Sequence, residues 1–64
     1  MIYLTRLNGG KIAVNLDLIE FMEETPDTVI TLTTGRKFVV KETMAEIRKE
    51  IIKFKKEVFL NLKE

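Results

Sequence analysis

Glu20, Glu23, Glu24 and Asp27 put four carboxylates within eight residues, the densest group of carboxylates in the sequence. Carboxylates at such spacing could bind magnesium or share general acid–base work, provided a cleft holds them at fixed separation. These four surround a turn, however, and an exposed turn more often carries carboxylates as a solvated surface. Gly9-Gly10 raises the question of a phosphate loop, but the lysine and hydroxyl residue that such a loop needs after further glycines are missing. Histidine and cysteine are absent altogether, which excludes imidazole and thiolate catalysis, zinc-type sites and disulfides. No catalytic residue, cofactor site or metal site is expected.

Basic residues are the remaining candidates for chemistry. Arg6, Lys11, Arg36 and Lys37 lie near turns, where they could touch phosphates. RNA binding would need them interleaved with exposed aromatics on a sheet face, and Tyr3 and Phe38 are the only strand aromatics of that kind, Phe38 reading as core. The net charge of +1 gives no strong field for nucleic acid or membrane. Residues 1–40 carry four basic and five acidic groups, and residues 41–64 seven and five, so the tail is mildly basic. A basic amphipathic helix over 43–64 could lie on a membrane surface, but glutamates dispersed among its lysines argue against that.

The elements that position these groups follow from pattern. Ile2 to Leu7 reads as a strand ended by Asn8-Gly9-Gly10, a hairpin signal, with Lys11 to Val14 as the return strand. Asn15-Leu16-Asp17 marks a bend, and Leu18 to Glu23 fits either a third strand or a single helical turn. Thr25-Pro26-Asp27 is a turn, Thr28 to Thr33 a strand, Thr34-Gly35 a second hairpin and Lys37 to Val40 its partner. Thr43-Met44-Ala45-Glu46 matches a capping box, and neither glycine nor proline follows. Met44, Ile47, Ile51, Phe54, Val58 and Leu62 then line one helix face, with Ala45, Ile52 and Phe59 beside it at seven-residue spacing, widening the stripe.

The expected fold is therefore α+β: a small antiparallel sheet of four to five strands, flat or curled into a barrel-like shape, followed by one C-terminal amphipathic helix. Residues 1–64 form one domain, with 1–41 as the sheet region and 42–64 as the helix. Alternation along the strands puts apolar groups on both sheet faces, and one helix covers only one. A helix of about 20 residues is roughly 30 Å long and overhangs strands of about five residues. Both features, with the thin stability of so short a chain, predict a homo-oligomer, and the helix face Met44, Ile47, Ile51, Phe54, Val58, Phe59 and Leu62 packs either on the chain's own sheet or against another copy. No stretch reaches the roughly 18 apolar residues of a membrane span. The N-terminus lacks the basic region and long apolar core of a signal peptide, which predicts a cytoplasmic site.

Several of these segments resemble the small flagellar proteins of the FlbD/SwrD family. They are Leu4-Thr5-Arg6-Leu7-Asn8-Gly9, then Asn15-Leu16-Asp17-Leu18-Ile19-Glu20, where members often have proline in place of Leu16, and then Glu24 to Thr33 followed by Gly35. Phe38-Val39-Val40-Lys41-Glu42 leads into the helix in the same way. The resemblance implies a non-enzymatic cytoplasmic protein that supports motility and swarming, associated with greater motor power through the stator units at the inner face of the membrane. Thr5, Arg6, Asn8, Gly9, Thr25, Pro26, Asp27 and Thr28 are then the candidate partner contacts, on motif grounds, although turn geometry explains them equally well. An alternative is a small RNA-binding regulator of the carbon storage regulator type, whose N-terminus resembles Met1 to Arg6. That likeness fails at Thr33-Thr34-Gly35-Arg36-Lys37, a plain hairpin.

Overall fold

In the computed structural model the described residues are 1–62, the side chain of Leu62 excepted; Lys63 and Glu64 lie outside them. Five strands precede one helix: β1 (Ile2–Thr5), β2 (Lys11–Val14), β3 (Ile19–Glu24), β4 (Thr28–Leu32), β5 (Lys37–Val40) and α1 (Met44–Leu62). The strands do not form the single sheet expected. β1 and β2 make one antiparallel pair, and β3, β4 and β5 make a separate sheet in the order β3-β4-β5. The two meet at one corner, where Arg6 bridges Val40 and the Lys41 N–H donates to the Thr5 carbonyl at 2.8 Å. One such bridge joins the sheets without closing a barrel.

Local chemistry explains the boundaries. β1 stops two residues short of Leu7 because the chain is already turning: the Arg6 N–H donates to Gly10 O at 2.8 Å and the Gly9 N–H to Arg6 O at 2.9 Å. Gly9 takes φ +94°, a conformation that side chains strain. Of the two structures open for Leu18 to Glu23 the strand forms, and the helical turn falls just before it, at the expected bend. Asn15 Oδ1 accepts from the Asp17 N–H at 3.0 Å and starts a 3-10 turn over Leu16–Leu18, and β3 follows at once. A register shift at Glu20 separates the Ile19–Leu32 pair from the Phe21–Thr31 pair. The capping box forms as expected: the Thr43 N–H donates to Glu46 Oε1 at 3.0 Å, and the Glu46 N–H to Thr43 Oγ1 at 3.1 Å.

The core comprises Ile2, Leu4, Val14, Ile30, Leu32, Val40 and Ile47. α1 packs across both β1 and β3, so the helix spans the two sheets, and Ile47, fully buried, shares one core cluster with residues of both. Ile51 and Phe54 continue this face, partly buried. Beyond them the helix leaves the sheets: Val58 is 42% exposed and Leu60 61%. Met44, at the other end, is also exposed. Ala45, Ile52 and Phe59 do not widen the buried stripe. At about 100° per residue they lie roughly 120–160° round the helix from Ile47, and all three are exposed. The outer sheet face stays open too, with Tyr3 68%, Phe21 57% and Leu7 51% exposed.

Candidate interaction surface

The two segments singled out by motif, Thr5–Gly9 and Thr25–Thr28, are far apart in sequence but are tied to the same place. Glu24, Thr28, Val40 and Arg6 stand in one continuous row across β3, β4, β5 and the corner bridge. Each segment is then fastened to the start of α1. Glu42 Oε1 accepts from the Thr5 N–H and its Oε2 from the Thr5 hydroxyl, both at 2.8 Å. Lys11 Nζ donates to that hydroxyl at 2.8 Å, so Lys11, Thr5 and Glu42 form one chain of hydrogen bonds. From the other segment, Glu24 Oε1 accepts from the Met44 N–H at 2.7 Å. Burial alone would raise the Glu42 carboxyl, but the Thr5 hydrogen bonds, its own backbone N–H and the charge of Lys11 outweigh it and hold the group below its ordinary value.

This junction is built of structural bonds. Glu24, Thr43 and Glu46 already occupy N–H groups of the first helical turn, and three carboxylates surround it, so it repels anions where a bare helix start would attract them. The acidic cluster does not converge. Glu23 pairs with Val29 and Glu24 with Thr28, which puts neighbouring carboxylates on opposite sheet faces. Among the described residues no group of three acidic side chains is placed to hold a metal ion. At Gly9-Gly10 the turn uses its own N–H groups, that of Gly10 donating to Asn8 Oδ1 at 2.9 Å.

Of the other proposed contacts, Thr28 is buried, Asn8 and Gly9 shape the turn, and Thr25, Pro26 and Asp27 are exposed at a reversal whose Thr25–Pro26 bond is cis. Arg6 and Arg36 both place their guanidinium 5.2 Å from the centre of the Phe38 ring. That ring packs against the core while Tyr3 points outward, so the two aromatics form no common stacking platform. The Glu24 and Glu42 bonds were not foreseen from sequence. Glu42 stands directly before the capping threonine, which is the only local hint; for Glu24 there is none.

Besides the open sheet face, exposed apolar groups lie along the free half of α1. Leu16, Asp17, Phe54, Lys55, Val58 and Phe59 line one shallow groove beside the overhang. Lys49, Ile52, Lys53, Lys56, Glu57 and Leu60 line a second on the outer side. No helix among the described residues is long and apolar enough to cross a membrane. In comparisons with known proteins, the family model FlbD, described as flagellar and swarming motility proteins, matches residues 1–59. No curated protein and no solved structure matches the chain.

Proposed function

The chain belongs to the FlbD family of flagellar and swarming motility proteins, and from that premise we propose that it supports swarming by raising the power of the flagellar motor through protein contact, without catalysis. Family membership is the observation that carries this reading. The side-chain inventory agrees with it: no histidine or cysteine is present, and the carboxylates are spread over both sheet faces or used to fasten the helix. A cytoplasmic position at the inner face of the membrane, next to a motor or stator component, goes with this proposal.

The contact surface in this reading has two parts. The exposed Thr25-Pro26-Asp27 reversal and Arg6 sit on segments held rigidly against the helix start, so that little order is lost when a partner binds. The overhanging stretch around Val58 serves self-association, since a lone chain leaves it uncovered. Swarm expansion and flagellar number in a strain lacking the gene test the proposal. Slower swarming with a normal number of flagella is the expected result. Fewer flagella, with normal movement in those that remain, would refute it and direct attention to gene expression.

A further inference from the structure

The glutamates of α1 are dispersed in sequence but not in space. At about 100° per residue, Glu46, Glu50 and Glu57 fall within an arc of about 40° on one flank of the helix, from which Glu57 borders the outer groove of Lys49, Lys53 and Lys56. Arg48, Lys49, Lys53, Lys55 and Lys56 share an arc of about 160° that is centred opposite the buried stripe of Ile47, Ile51 and Phe54, with Lys55 at its edge beside Leu16 and Asp17. All five basic residues are exposed, and none is held in a hydrogen bond or ion pair among the described residues. Ile52 and Leu60, 42% and 61% exposed, lie between the lysines on that arc.

We propose that this outward face of α1 docks on an anionic lipid surface, its lysines meeting phosphate headgroups while Ile52 and Leu60 enter the interfacial layer. The shape suits a plane. The molecule measures 41 × 22 × 19 Å, and a helix of about 28 Å exceeds both short dimensions, so it runs along the long axis with its outer face on a flank. The charges suit lipid as well. Four of the five are lysines, flexible point charges that fit a fluid headgroup layer, whereas an acidic protein partner favours the bidentate fork of arginine. Long lysine stems also let the apolar neighbours descend while the ammonium groups stay in water. A second copy is a poor occupant of this face, because a two-fold contact would set Arg48, Lys49, Lys53 and Lys56 against the same four residues. Nucleic acid would match the charge but not the aliphatic side chains between the lysines, since such interfaces are more polar.

The test is co-sedimentation of the full chain with vesicles of phosphatidylcholine alone or mixed with phosphatidylglycerol, at low and at physiological salt. The chain is expected to pellet with the anionic vesicles, to stay in the supernatant with the neutral ones, and to lose affinity as salt rises. Replacing Lys49, Lys53 and Lys56 by glutamine should weaken binding on the order of a hundredfold, about fivefold per charge. An equal charge change off the helix, with Arg36, Lys37 and Lys41 replaced by glutamine, should leave binding within about twofold because those groups precede α1 and are not on its outer face. Circular dichroism verifies the fold of each variant. Absence of binding to anionic vesicles at low salt would overturn the proposal. So would equal binding to neutral vesicles, equal loss in both triple variants, or binding to heparin or RNA without binding to vesicles.

Discussion

Replacing Glu42 by alanine probes the link between the N-terminal hairpin and the helix. The carboxylate accepts from the Thr5 N–H and hydroxyl, both at 2.8 Å, across 37 residues of sequence. A hydrogen bond to a charged group contributes about 1.5–3 kcal/mol when shielded. Glu42 is only partly buried, so water replaces some of that, and about 1 kcal/mol per bond is the fair figure. The expected loss is about 2 kcal/mol, or a fall in Tm of roughly 8–16 °C for a domain of this size. Thermal and urea melts followed by circular dichroism measure it. Glu42→Gln keeps one acceptor and should lose about half as much. The carboxyl lies below its ordinary value in the folded chain. Its charge-dependent stabilisation is therefore complete above the unfolded value and disappears as pH falls through the folded one. The gap between the native chain and Glu42→Gln should accordingly be widest near neutral pH and close in acid. An alanine variant that melts within about 2 °C of the native chain, or a gap indifferent to pH, would refute the reasoning.

Ile47 is completely buried in the core, and Ile47→Ala should cost about 2–5 kcal/mol, read as a shift in the urea midpoint. Ile51→Asp, which sets a carboxylate on the partly buried helix face, should unfold the chain or its assembly; an unchanged melting curve would contradict the packing of that face. Glu24→Ala removes the acceptor for the Met44 N–H and should cost about 1 kcal/mol, with fraying of the first helical turn visible in amide exchange. Light scattering at micromolar concentration should give the mass of a dimer or larger assembly; a monomer mass would refute self-association through the overhang.

Strand positions were legible because alternation survives on both sides of each turn. Ile2 and Leu4 are buried and Tyr3 is exposed, and Ile30 and Leu32 are buried beside a less buried Val29, as the pattern requires. The capping box could be read because both of its bonds span three residues. The division into two sheets could not, since it depends on where β1 meets β5, at a single bridge between Arg6 and Val40. Nor could the Thr5–Glu42 and Glu24–Met44 bonds, which join residues 37 and 20 positions apart. On the helix the seven-residue spacing of Ala45, Ile52 and Phe59 was plain, but its direction was not. Only the place of Ile47 in the core fixes which side of α1 faces the sheets, and so turns that stripe outward.

The most direct measurement of the central claim is torque per motor in tethered cells lacking the gene, with flagella counted in the same cells. Normal numbers of flagella with reduced torque, restored by the native chain, is the result predicted. Normal torque in every motor that is present would contradict it.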